Sequence, residues 1–144
     1  MYEYKVKIKR IVDGDTVDVD IDLGFHVWLY NQRIRLHGID TPECRTSDKT
    51  EKIFGNASKD FVEKNIPVGS TQILKSVVDK KGDDKRGKFG RILGDFILPN
   101  KSMLTENMIK KSFAVPYTGG NKDKLESLHN KNREKLISKG KVVV

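Results

Sequence analysis

Tyr4-Lys5-Val6-Lys7-Ile8-Lys9-Arg10-Ile11-Val12-Asp13-Gly14-Asp15-Thr16-Val17-Asp18-Val19-Asp20-Ile21-Asp22 carries two apolar–charged alternations joined through one glycine. Tyr4, Val6 and Ile8 alternate with Lys5, Lys7 and Lys9. Val17, Val19 and Ile21 alternate with Asp18, Asp20 and Asp22. A period of two puts one set on each face of a half-buried strand. Asp13-Gly14 is a turn signal between the two runs. The stretch therefore predicts a β-hairpin. Its lysine row faces an aspartate row, and each such cross-strand pair contributes little.

Working outward, Gly24 makes a second turn, and Val27–Tyr30 and Arg33–Leu36 read as further strand. The polar stretch from Gly38 to about Lys52 reads as a loop. Asn56 is the expected N-cap of a helix over Ala57–Lys64, with Ala57, Phe61 and Val62 on one face. Pro67 and Gly69 end it. Gln72–Asp79 and Ile92–Leu98 read as strands, separated by the charged loop Lys80–Lys88. Ser102 is the expected cap of a helix carrying Leu104, Met108 and Ile109. Val115–Gly120 reads as a loop, and Lys122–Ser138 as a last helix with Leu125, Leu128, Leu136 and Ile137 inward. The expectation is an α+β fold: a five-stranded OB-type β-barrel with about three packed helices. One domain is expected over residues 1–144, with the barrel at about 4–98 and helices at about 56–65, 103–111 and 122–138.

A chain of 144 residues suits one core, since domains commonly run about 100–150 residues. No apolar run approaches the ~18 residues that a membrane span needs. The first residues, Met1-Tyr2-Glu3-Tyr4-Lys5, lack the apolar segment of a secretory signal. The expected location is inside the cell, unless an export signal preceded this numbering. Cys44 is the single cysteine, so an internal disulfide and a cysteine-based zinc framework are both excluded. His26, His37 and His129 are scattered without ligand spacing. The net charge of +8 favours polyanionic partners, with nucleic acid the commonest.

Three segments carry candidate chemistry: Val12-Asp13-Gly14-Asp15-Thr16, Arg35 through Glu43, and Lys88-Phe89-Gly90-Arg91. They supply oxygen ligands for a hard cation, a further carboxylate and two guanidiniums. Phosphodiester cleavage uses that inventory. Carboxylates hold Ca²⁺ or Mg²⁺, a free carboxylate takes a proton from water, and arginine forks match phosphate oxygens. Taken singly, each segment has a plainer reading as a turn, a solvated loop or a surface strand residue. Their joint occurrence in this order is what points to a site.

Asp13-Gly14-Asp15-Thr16, Gly38-Ile39-Asp40-Thr41-Pro42-Glu43 and Phe89-Gly90-Arg91-Ile92-Leu93-Gly94 together resemble the staphylococcal nuclease (thermonuclease-like) family. The resemblance runs from about Lys5 to Tyr117. It implies an OB-type barrel with three helices and a Ca²⁺-dependent endonuclease. It further implies cutting of DNA and RNA with little sequence preference, leaving 3′-phosphate and 5′-hydroxyl ends. One Ca²⁺ per chain would be held by the Asp15 and Asp40 side chains and the Thr41 carbonyl. Glu43 would be the general base or orient the attacking water, and Arg35 and Arg91 would clamp the scissile phosphate. Lys85, Arg86, Lys88 and Tyr117 are the expected nucleic-acid contacts. No protein partner is implied, and a monomer is expected. For an intracellular nuclease, a phage or mobile-element origin would suit.

The chain departs from the family pattern in places. The stretch between Asp15 and Arg35 is several residues longer than in the secreted type member. Phe89 stands where the family often has a phosphate-contacting tyrosine. Val115 stands near one position of a nucleotide-stacking pair, and Tyr117 near the other. The alternative reading is a non-catalytic OB-fold nucleic-acid-binding module, which typically loses the carboxylates and arginines retained here.

Three decoys fail. Gly82-Asp83-Asp84-Lys85-Arg86-Gly87-Lys88 has phosphate-loop spacing, but Phe89 replaces the required Ser or Thr. Asp18, Asp20 and Asp22 imitate the start of an EF-hand, but Leu23 and Leu29 stand where Gly and Glu are needed. Cys44 has no nameable base, so it reads as a bystander thiol.

Overall fold

In the computed structural model, which describes residues 2–77, 91–117 and 122–144, the opening alternation forms the expected hairpin. Strand β1 covers Glu3–Asp13 and β2 covers Thr16–Asp22. Val6 lies opposite Ile21 and Ile8 opposite Val19, and all four are buried. Lys5 lies opposite Asp22 and Lys7 opposite Asp20. Full burial of such aliphatic side chains stabilises by about 1.5–3 kcal/mol each.

Strand β3 (Trp28–Leu36) continues antiparallel from β2. β4 is the short piece Ile39–Asp40. Helix α1 (Lys49–Asn65) then leads to β5 (Thr71–Ser76) and β6 (Ile92–Ile97). β5 pairs with β1 and with β6, and β6 runs parallel to β3. A parallel pair needs a long crossover, which α1 and β5 supply. The result is a closed barrel in the order β1-β2-β3-β6-β5. Helix α2 (Leu104–Lys110), strand β7 (Val115–Pro116) and helix α3 (Lys122–Ser138) follow. This is the α+β, OB-type barrel with three helices that the sequence predicts. Ile34, Leu36, Leu74 and Phe96 fill its interior, and Val62, Ile66, Leu104 and Met108 pack against them.

The structure corrects several local expectations. Helix α1 starts at Lys49, two turns before Asn56, because Asp48 accepts from the backbone N–H groups of Thr50 and Glu51. Gly55 and Asn56 therefore lie inside the helix. Ser102 does not cap α2. The N-cap is Met103, which makes no side-chain cap bond. Asp95 reaches over from β6 and accepts from Thr105 N–H and from the Thr105 hydroxyl. Val115 and Pro116 form β7, paired with β4, rather than a loop. On α3, Leu136 is buried, Leu125 and Leu128 are half-buried, and Ile137 is 49% exposed. Lys80–Lys88, the whole of the expected charged loop, lies outside the described residues, as do Val78 and Asp79 at the end of the strand expected before it.

Candidate active site

The turn Gly14-Asp15 joins β1 to β2 and rests on α1. A side chain at position 14 would bring its Cβ to 2.8 Å from Ser58 Cβ and 3.1 Å from Thr41 Oγ1. Only glycine lets the turn approach so closely, and this contact sets Asp15 beside the β4 loop. Thr41 is itself 3% exposed, and its hydroxyl oxygen is buried without a hydrogen-bond partner.

Arg35 organises the two candidate metal ligands. Its Nη1 donates to Leu36 O at 2.8 Å and its Nη2 to Ile39 O at 3.0 Å. Those bonds hold the guanidinium in place. The same Nη2 lies 3.5 Å from Asp15 Oδ2 and 4.0 Å from Asp40 Oδ1. Each carboxylate uses its other oxygen elsewhere. Asp15 Oδ1 accepts from the Thr16 hydroxyl at 3.0 Å, and Asp40 Oδ2 lies 2.8 Å from His129 Nε2.

Glu43 follows in the loop after β4. Its backbone N–H donates to Glu51 Oε2 at 3.0 Å, which ties the loop to the first turn of α1. Loop and helix are nearly in contact. A Cβ on Gly55 would lie 2.4 Å from Glu43 O and 2.9 Å from Cys44 N. The Glu43 carboxyl is raised above its ordinary range, first by partial loss of water and then by the charges of Asp13, Asp15, Asp40 and Glu51. Four neighbouring carboxylates thus leave a surplus of negative charge here.

Among the described residues, no three His, Cys, Asp or Glu side chains converge closely enough to hold a metal by themselves. The candidate ligand set is smaller: two carboxylates and one carbonyl. Its chemistry fits a hard cation, since all donors are oxygen and the local charge is negative.

Arg91 is half-buried and directly precedes β6. Leu93 of β6 is in register with Arg35, so Arg91, two residues earlier, enters the strand that runs parallel to and beside the one carrying Arg35. Tyr117 is 37% exposed, and its N–H donates to Gly38 O. Val115 is 2% exposed and paired with Asp40, so it offers no surface for stacking. Lys85, Arg86, Lys88 and Phe89 lie outside the described residues.

Sequence reasoning passed over His129 and the α3 wall. Leu125, His129, Asn132, Arg133 and Leu136 share one helical face by their spacing. That face is partly polar because it covers the site as well as the core. Asn132 donates to Ala114 O, and the Arg133 guanidinium sits 5.2 Å over the Phe54 ring. A cleft of about 490 Å³ opens between this wall and Asp40, Thr41 and Glu43. A larger one, about 670 Å³, lies by α1 and the last residues and contains none of the candidate groups. A leucine-rich amphipathic pattern hides a polar residue facing inward, so only its i, i+4 spacing from Leu125 could have flagged His129.

The Cys44 thiol is buried, and desolvation together with the neighbouring Asp13 carboxylate pushes it up to about 12. It stays protonated, as an inert thiol does. The acidic row is likewise structural. Asp20 accepts from Asn31 N–H and lies 3.7 Å from Lys9 Nζ, and Asp18 pairs with Arg33.

A family described as staphylococcal nuclease homologue matches residues 33–138. Thermonuclease from Staphylococcus intermedius is 29% identical over 111 residues, which cover 76% of this chain and 60% of that protein. An uncharacterised protein of Methanocaldococcus jannaschii is 31% identical over 133 residues, covering 79% of this chain and 59% of that one. Endonuclease YhcR from Bacillus subtilis (strain 168) is 25% identical over 120 residues, covering 80% of this chain and 9% of its own length. The chain spans about three fifths of the length of the thermonucleases it matches.

Proposed function

The chain belongs to the staphylococcal nuclease homologue family, and from that premise we propose that it is a Ca²⁺-dependent endonuclease acting on DNA, RNA or both. The observation that carries this reading is the meeting of Asp15 and Asp40 on one guanidinium nitrogen of Arg35, with Glu43 within their electrostatic reach. Names of relatives support it: two thermonucleases and an endonuclease.

Asp15, Asp40 and the Thr41 carbonyl would hold one Ca²⁺. When bound, the ion supplies charge stabilisation at phosphoryl oxygen and a more acidic water. Glu43 accepts the proton from the attacking water. Burial first, and then the charges of Asp13, Asp15, Asp40 and Glu51, make it take up a proton more readily than a free carboxylate does. Arg35 is already anchored through two backbone carbonyls, so it meets phosphate oxygens without reorganising. Arg91 supplies the second fork, binding the phosphate and stabilising charge on the leaving 5′-oxygen. The products are a 3′-phosphate and a 5′-hydroxyl.

Single- and double-stranded DNA and RNA, each incubated with Ca²⁺ or with chelator, test the reading. Ca²⁺-dependent cutting is expected, with Glu43→Gln slower by about a hundredfold or more. Equal cutting by Glu43→Gln would overturn the assigned base. Binding without any cutting would instead identify a non-catalytic nucleic-acid-binding module.

A further inference from the structure

The long β2–β3 hairpin exposes an aromatic pair that the reaction does not use. Trp28 is 38% exposed and Tyr30 is 63% exposed. Their rings lie 13° from parallel, with centroids 6.4 Å apart. Register shows which way they point. Trp28 lies opposite Asp22, Arg33 opposite Asp18 and Arg35 opposite Thr16, while Leu29, Gln32 and Ile34 lie opposite the buried Ile21, Val19 and Val17. Between these two runs β3 carries one extra residue. That residue is Asn31, at φ 55°, and its N–H is satisfied by Asp20. Such a bulge re-aims the strand. It keeps Trp28, Tyr30, Arg33 and Arg35 on one outward face.

We propose that Trp28 and Tyr30 form a base-stacking subsite for single-stranded nucleic acid that runs along the outer face of β3 from Arg35. The inference rests on the nuclease reading, since Arg35 supplies its anchor point. Four residues, the bulged Asn31 among them, lie between Tyr30 and Arg35, roughly 15 Å of strand. That reach lies within the span of about 4–16 nucleotides that barrels of this type cover. The outer surface of strands two and three is a common oligonucleotide-binding face in OB folds. Stacking on aromatic rings tolerates any base, which suits cutting with little sequence preference.

Charge selects the occupant. No Lys or Arg lies between Arg10 and Arg33, whereas five aspartates do: Asp13, Asp15, Asp18, Asp20 and Asp22. The tip, where Leu23, Phe25 and Val27 are exposed, carries no Lys or Arg to hold an anionic membrane. A duplex would bring its outward phosphates against the same strand. A single strand turns its bases to the rings and its phosphates towards solvent and Arg35, Arg33 being engaged by both oxygens of Asp18. The aspartates are also held locally: Asp18 by Arg33, Asp20 by Lys9 and Asn31 N–H, Asp22 by Gly24 N–H.

Trp28 is the only tryptophan, so its emission reports the subsite directly. A twelve-nucleotide oligo(dT) is titrated into the protein with chelator present. The expected result is quenching of Trp28 emission in the wild type and, read by anisotropy of a dye-labelled oligo(dT) that needs no tryptophan, affinity about tenfold weaker in Tyr30→Ala and Trp28→Ala and largely kept in Trp28→Phe. A dinucleotide substrate, too short to reach the rings, should be cut equally by wild type and Tyr30→Ala. Unchanged emission alongside oligonucleotide binding seen by anisotropy would overturn the subsite and leave the nuclease reading standing. Absence of oligonucleotide binding would overturn it too, as would a blue shift on phosphatidylcholine vesicles alone, which would assign the hairpin to membranes. Quenching without Ca²⁺-dependent cutting would keep the subsite and overturn the nuclease.

Discussion

Nε2 of His129 lies 2.8 Å from Oδ2 of Asp40, joining α3 to β4 across 89 positions of sequence. The histidine side chain is only 15% exposed. Because His129 takes one oxygen of Asp40, the other is left facing Arg35 and the candidate cation position. A hydrogen-bonded partner of this kind fixes the orientation of a ligating carboxylate.

His129→Leu should therefore weaken Ca²⁺ binding by about 10–100-fold. His129→Gln, which can still donate to Asp40, should keep more of it. Calorimetric titration of Ca²⁺ into the protein without nucleic acid measures this apart from turnover. Equal affinity in wild type and His129→Leu would remove His129 from the site.

Glu43 makes stability depend on pH in a defined direction. Its carboxyl holds a proton to higher pH in the folded protein than at the ordinary value of 4.5. Between those two values the folded state binds more protons, so this group's contribution to stability falls as pH rises. With chelator present, Glu43→Gln should melt higher than wild type at pH 7. The difference should vanish below pH 4.5, where both states are protonated. A melting series against pH checks it, and a lower melting temperature for Glu43→Gln at pH 7 would contradict it.

Gly55 couples helix α1 to the loop that carries Glu43. An alanine there would press its Cβ against backbone atoms of Glu43 and Cys44, which cannot rotate away. Gly55→Ala should cost about 1–3 kcal/mol of stability and reduce cleavage by displacing Glu43. Helix propensity alone predicts the opposite, a gain of about 1 kcal/mol. Urea unfolding and a cleavage assay on the same sample decide between the two.

Cys44 should resist chemistry. With the thiol pushed up to about 12 and the residue buried, thiolate is scarce at pH 8. Alkylation by iodoacetamide should be far slower in the native protein than in urea, and Cys44→Ser should retain cleavage. Loss of cleavage in a folded Cys44→Ser protein would bring the thiol back into the mechanism.

The sequence by itself determined the hairpin, the barrel strands and the order of the three candidate segments. Period-two alternation and Asp-Gly turn chemistry are local signals, and β1 and β2 obey them. It also marked Asp15, Arg35, Asp40, Glu43 and Arg91 as one inventory, because their residue types share one chemistry, whereas Thr41 entered only through the family resemblance, since a backbone carbonyl leaves no residue-type signal. Tertiary structure decided what local signals cannot carry. The start of α1 moved to Lys49 because Asp48 caps it and Gly55 lets it lie against the Glu43 loop. Asp95 replaced Ser102 as the partner for α2 across a strand-to-helix contact. The α3 face turned out partly polar because it closes over Asp40. The bulge at Asn31 set which residues of β3 share a face with Arg35. Apart from the Asp48 cap, whose two donors lie only two and three residues away, each of these depends on atoms distant in sequence but within a few ångströms in the fold.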